Sequence, residues 1–199
     1  MQNVSVLCEN TPDLRTKRAR FTERMKLAST ITVDRYDLQL LAELQRDGHA
    51  TNGALGEKIH LSSSQVSRRV QRLQEAKVID HYAAILDPAA VGLHVVAFTQ
   101  VTLDRQGSNS GEKFEREVAL LPQVLECFSL AGEADYILRI VTPDLASFSE
   151  FMNKRLLRIS GVTNVRSNIT LHKVKQTHIL PLDHVMQPTE TTQRIQYAP

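Results

Sequence analysis

Between Ser62 and Leu73 the chain sets four serines, two glutamines and three arginines around a regular apolar stripe. Val66, Val70 and Leu73 fall at i, i+4 and i+7, the spacing of one buried helix side. At about 100° per residue, Ser64, Arg68 and Arg72 point nearly opposite that stripe, with Gln65 and Arg69 on its flanks. These are groove chemistries. A guanidinium donates two parallel hydrogen bonds to guanine, and a glutamine amide pairs with adenine. Ser62 and Ser63, at the helix start, offer hydroxyls and free backbone N–H groups to a phosphate. On an isolated helix the same residues are a solvated face; the preceding elements decide between the two readings.

Those elements position the face. A helical pattern begins near Asp34, buries Leu40, Leu41 and Leu44 on one side, and ends at Asp47-Gly48. Thr51 or Asn52 caps a short second helix carrying Leu55 and Ile59. Ser62 or Ser63 caps the third, and Ser62 with Gln65 has capping-box spacing. Three short helices with a tight turn between the second and third are the helix-turn-helix plan. Val78 to Leu86 reads as a following strand, broken by Asp87-Pro88.

The second half changes rhythm. Strand patterns at Val95–Leu103, Val124–Leu130, Tyr136–Val141 and Val162–Lys175 alternate with helical patterns at Glu112–Leu121 and from Thr142-Pro143-Asp144 to about Leu157. Gln106 to Gly111 is a polar loop, and Ala131 to Asp135 is a turn. The order βαββαβ is the ferredoxin-like pattern. The fold class is therefore α+β. The expected organisation is a basic arm at 1–30, a winged-helix-like helix-turn-helix domain at 31–80, a hinge strand at 81–92, a βαββαβ domain at 93–182 and an irregular tail at 183–199.

Composition limits the alternatives. Net charge is +2 over 199 residues. Residues 1–85 hold 13 Lys/Arg against 10 Asp/Glu, and residues 86–199 hold 11 against 12, so the modest basic excess sits in the N-terminal half, where it suits a nucleic-acid contact. No apolar run is long enough to span a bilayer, and no apolar stretch follows the arginines of the arm as in a secretory signal. Cys8 and Cys127 lie far apart and read as free thiols of a reducing cytoplasm. The seven histidines never fall at metal-ligand spacing, so no metal or cofactor is expected. Glycine-rich phosphate loops and nucleophile elbows are missing, and Glu115, Glu117 and Glu126 read as solvated side chains. An enzyme is not expected.

The run Val33-Asp34-Arg35-Tyr36-Asp37-Leu38-Gln39-Leu40-Leu41, with Leu44-Gln45 and Asp47-Gly48, resembles the opening of the leucine-responsive/asparagine-responsive (Lrp/AsnC) regulator family. Leu61-Ser62 through Arg68-Arg69-Val70 to Leu73 and Val78-Ile79 is similar to that family's recognition helix and following strand. Ala131-Gly132-Glu133-Ala134-Asp135-Tyr136 resembles its Gly-acidic-aromatic-Asp-Tyr turn, and Gly161-Val162 its signal before the last strand. The likeness runs from about residue 33 to 178. His60 stands where the helix turn usually has glycine, and Ala134 where the domain turn has an aromatic residue.

The resemblance implies a cytoplasmic transcription regulator that binds double-stranded DNA and is modulated by an amino acid or related metabolite. It implies a homodimer assembling to a tetramer or octamer, with the effector held near the turn before the third strand of the βαββαβ domain, close to an interface between dimers. Carried over, the effector residues are Leu130, Gly132, Asp135, Leu145, Asn168 and Thr170. Asp135 would accept from a ligand amine, or merely cap its turn; Leu130 and Leu145 would wall a pocket, or merely pack. Two other functions fit the same body: a tetrapyrrole (sirohaem-type) decarboxylase, and an architectural DNA-binding protein without an effector.

Overall fold

The computed structural model describes residues 31–104, 110–186 and 195–197. The basic arm expected at 1–30 lies outside them, as does most of the 106–111 loop. The chain divides into two compact units. One gathers residues up to Ala84 with those from Lys175 onward; the other runs from Ile85 to Val174.

Local capping explains the helices of the first unit. Helix α1 (Arg35–Arg46) starts where the Asp34 carboxylate accepts the Asp37 amide and the Asp37 carboxylate accepts the Asp34 amide. This capping box satisfies two donors that a helix start leaves open. Thr51 caps α2 (Asn52–Ile59) by accepting the Ala54 amide at 3.2 Å. Ser62 and Gln65 form a second capping box on α3 (Ser63–Glu75). Val33, Leu38, Leu40, Leu55, Ile59, Val66 and Leu73 make the core.

The turn between α2 and α3 depends on two residues. His60 takes the left-handed conformation at φ 58° and returns its N–H to the Gly56 carbonyl. A non-glycine residue pays roughly 1 kcal/mol there, which a histidine tolerates. At Gly56 a Cβ would stand 2.4 Å from the Leu61 carbonyl oxygen. Glycine is therefore demanded inside α2, by close approach of the chain leaving the turn.

The end of the chain returns to this unit, which corrects the expected boundary at residue 182 and the irregular tail beyond it. The Gln45 side-chain amide donates to the Leu180 carbonyl and accepts the Leu180 N–H at 2.6 Å. Leu182 and Val185 then pack into the helical core, and Asp183–Met186 forms a single 3₁₀ turn. Strand β1 (Ile31–Val33) pairs in parallel with the last strand, Ile195–Tyr197. Three short helices bury little apolar surface by themselves; the returning segment extends their core.

In the second unit, β2 (Val95–Leu103), β3 (Val124–Ser129), β4 (Tyr136–Thr142) and β5 (Val162–Ile169) form one antiparallel sheet in the order β3-β4-β2-β5. Ala97, Val101, Leu103, Tyr136, Leu138 and Ile140 share the core with Phe114 and Val118 of α4 (Ser110–Val118) and Phe148 and Phe151 of α5 (Leu145–Lys154). On the other sheet face lie Phe98, Phe128 and Ile137, with Phe98 and Phe128 exposed.

Three segments differ most from the sequence pattern. Strand β5 stops at Ile169 instead of Lys175 because its neighbour β2 begins at Val95: Thr170 still binds the Val96 carbonyl through its N–H and Oγ1, and then no ladder partner remains among the described residues. Val78–Leu86 forms no strand. Its apolar content suits one, but no chain segment among the described residues lies alongside to complete a ladder, and Tyr82, Ile85 and Leu86 stay exposed. Helix α4 begins two residues before Glu112 and ends at Val118, three before Leu121.

Candidate nucleic-acid interface and effector turn

Helix α3 buries Val66 and Leu73 completely and Val70 in part, so its opposite side is fixed outward. Ser64 and Arg68 are exposed there, Ser63 is exposed at the helix start, and Arg68 pairs with no carboxylate among the described residues. Ser62 Oγ accepts the Gln65 amide at 3.3 Å, and Gln65 Oε1 accepts the Ser62 N–H at 2.9 Å. Ser62 and Gln65 therefore hold the start of the helix. Asp34, Gln65, Arg68, Arg69 and Arg72 line a polar cleft of about 260 Å³ between α1 and α3.

Arg69 and Arg72 are engaged within the fold. Arg69 Nη1 meets Asp37 Oδ1 at 2.8 Å, and its Nη2 meets Asp34 Oδ2 at 2.9 Å. Arg72 Nη2 meets the second oxygen of Asp37. The Arg69 guanidinium also lies 5.6 Å from the Tyr36 ring centroid, within cation–π range. Asp37 is 0% exposed. Burial works against the Asp34 carboxylate, but the Asp37 amide and Arg69 outweigh it and hold its pKa below the ordinary value. Burial likewise opposes the Arg69 charge, and the two carboxylates reverse that and raise its pKa. Asp34 and Asp37 were not singled out from sequence. The available signal was spacing: Asp37 stands at i, i+4 and i+7 with Leu41 and Leu44, a charge on the apolar side of α1.

The six effector candidates fall into two groups. Leu130, Gly132 and Asp135 belong to the turn joining β3 to β4. Asp135 donates its N–H to the Val101 carbonyl, accepts the Leu130 amide on its own carbonyl, and accepts the Leu103 amide on Oδ2 at 2.7 Å. One carboxylate oxygen is thus spent on the turn. Leu130 is exposed, and nothing lies within 4 Å of where a Gly132 Cβ would stand. Next to the turn, Tyr136 donates to Glu115; burial and that carboxylate push its phenol up to about 12. Leu145, Asn168 and Thr170 lie at the other end of the sheet. Asn168 is opposite Phe98, Thr170 binds Val96, and Leu145 opens α5 just after β4 ends. From Val96 to Val101 is five residues of strand, about 17 Å. One chain does not bring the six together.

Comparison with known proteins bears on both halves. Residues 33–74 match the model of the AsnC-type helix-turn-helix domain, and residues 96–180 that of the Lrp/AsnC ligand binding domain. The chain is 37% identical over 145 residues to the leucine-responsive regulatory protein of Rhizobium meliloti, covering 73% of this chain and 93% of that one. It is 32% identical over 148 residues to the Escherichia coli protein of the same name, covering 74% and 90%. Among solved structures it resembles a transcriptional regulator of Neisseria meningitidis in complex with L-Met, at 38% identity and a TM-score of 0.75, covering 77% of this chain and 99% of that one. An AsnC family regulator of Agrobacterium tumefaciens is similar at 32% identity and a TM-score of 0.72, covering 76% and 99%.

Proposed function

The chain belongs to the Lrp/AsnC family of transcription regulators, and from that premise we propose that it reads operator DNA with α3 and adjusts its binding or assembly to an amino acid or a close metabolite. The observation that carries the DNA reading is the outward side of α3. The helix is capped, anchored by Val66 and Leu73, and leaves Arg68 unpaired among the described residues beside exposed Ser63 and Ser64. The serines and the helix N-terminus suit phosphates, and Arg68 suits a guanine edge. A helix-turn-helix reads half-sites, so a two-fold assembly on a near-palindromic operator follows. Exposed Phe98 and Phe128 on the open sheet face support burial against a second copy.

The split of the effector candidates supports a ligand held between subunits. The turn of one subunit offers Gly132, Leu130 and the remaining oxygen of Asp135; Leu145, Asn168 and Thr170 would come from another. A zwitterion finds an acceptor for its amine at Asp135, backbone donors for its carboxylate near Gly132, and an apolar wall. The N. meningitidis relative, solved with L-Met, supports an amino acid as the ligand class. A ligand that completes its site only in one assembly shifts assembly.

The test is calorimetric titration of an amino-acid panel into the wild-type chain, Gly132→Ala and Asp135→Asn. Gly132→Ala adds a methyl where the chain has open space. Asp135→Asn keeps an oxygen for the Leu103 amide while removing the charge. Binding by the wild type that both variants abolish supports the reading; wild-type binding unchanged in both refutes the site.

A further inference from the structure

We propose that Asp37 is a positioning residue for DNA reading: its buried carboxylate clamps Arg69 and Arg72, sets the pitch and rotation of α3, and leaves Arg68 as the base-reading arginine of the run. This rests on the DNA-binding function proposed above and divides its labour among residues that look equivalent in sequence.

The geometry separates them. Arg69 and Arg72 are three residues apart, on one side of α3. Asp34 and Asp37 are three apart at the start of α1. The four side chains close on one another, with Asp37 Oδ1 on Arg69 and its Oδ2 on Arg72 and the Asp34 N–H. Both oxygens of Asp37 are thus committed to fixed donors. Asp34 takes the rest of the Arg69 fork. Two cations face two anions, so the cluster presents almost no net charge to a phosphate backbone. Arg68, about 100° round the helix from Arg69, lines the same cleft but makes no ion pair among the described residues, so its guanidinium is left for the groove. A buried carboxylate held by a planar fork is directional. It fixes α3 against α1 in rotation, which an apolar stripe alone does less well.

The test uses the full chain, a duplex selected by the wild type from a random pool, and a scrambled duplex of equal length, titrated over a salt series. Four proteins are compared: wild type, Asp37→Asn, Asp34→Asn and Arg69→Lys. Asn still caps α1 at position 34, so Asp34→Asn loosens the clamp without uncapping the helix, and serves if Asp37→Asn does not fold by circular dichroism. Lys keeps the charge of Arg69 but cannot span two carboxylates. The clamp predicts that Asp37→Asn lowers the selected-to-scrambled affinity ratio by on the order of tenfold, with scrambled binding unchanged or tighter because an anion has gone. Asp34→Asn lowers the ratio by less. Arg69→Lys lowers it with the salt slope unchanged. If every folded variant keeps the wild-type ratio, or if Arg69→Lys is silent, the clamp is wrong and Arg69 is an ordinary phosphate contact. If the wild type itself does not distinguish the two duplexes, the reading of sequence-specific binding fails and takes the clamp with it.

Discussion

Gly56→Ala puts the helix-turn-helix geometry to a quantitative test. In an exposed helix this exchange stabilises, because alanine gains about 1 kcal/mol over glycine in helix propensity. Here the new methyl would stand 2.4 Å from the Leu61 carbonyl oxygen and 3.4 Å from its carbon. Ordinary contact needs roughly 1 Å more to the oxygen, and the obstacle is backbone. Overpacking costs about 1–3 kcal/mol, and a rigid neighbour places the cost near the upper end. The net effect is a loss of about 2 kcal/mol, opposite in sign to the propensity gain. Urea denaturation followed by circular dichroism reads it: the midpoint falls by about 1 M, for a slope of roughly 2 kcal/mol per M, with the slope unchanged. Because Leu61 leads into Ser62 and α3, operator affinity falls too. An alanine variant as stable as the wild type, or more so, refutes the close approach and the turn built on it.

Three further outcomes follow. Val185→Ala removes buried methyl groups from the helical core and should destabilise that unit by about 1–2 kcal/mol; a truncation after Leu180, which also removes Leu182, should lose more, and an unchanged melting curve for both would detach the tail from the core. The Asp34 carboxylate is depressed below its ordinary 3.8 in the folded chain, so its stabilisation is complete above that value and disappears as pH falls through the lower folded value. An acid titration of wild type against Asp34→Asn should show the wild type losing more stability below about pH 4; parallel curves would contradict this. Arg68→Ala should reduce the salt slope of scrambled-duplex binding by no more than about one while relaxing specificity at one base pair by about 1–3 kcal/mol, read by binding to single-substituted operators. An equal loss on every duplex would make Arg68 a phosphate contact.

What was legible in the sequence was local. The capping box at Ser62 and Gln65, the Thr51 cap, the Val66/Leu73 stripe and the βαββαβ order are each written in a few neighbouring residues, and each is present in the structure. What was not legible depends on distant partners. Val78–Leu86 has the apolar content of a strand and, among the described residues, no neighbour to pair with. The return of Leu182 and Val185 to the first unit needs the Gln45 amide, 135 residues from Leu180. Asp37 reads as a helix-start acid until Arg72, 35 residues away, is seen against it. The effector candidates form one motif set by resemblance, but strand direction sends them to opposite ends of the sheet. The demand for glycine at Gly56 comes from the Leu61 carbonyl beyond the turn, and the turn position itself, residue 60, is filled by a histidine in the left-handed conformation.

The central claim is that α3 reads sequence. Fluorescence anisotropy of the full chain on its selected duplex and on a scrambled one, at one fixed near-physiological salt concentration, addresses it most directly, with wild type and Arg68→Ala side by side. The account predicts that the wild type prefers the selected duplex by on the order of 10³ or more, and that Arg68→Ala loses about tenfold or more of that preference. Equal affinity of the wild type for both duplexes, or a preference that Arg68→Ala leaves intact, would contradict it.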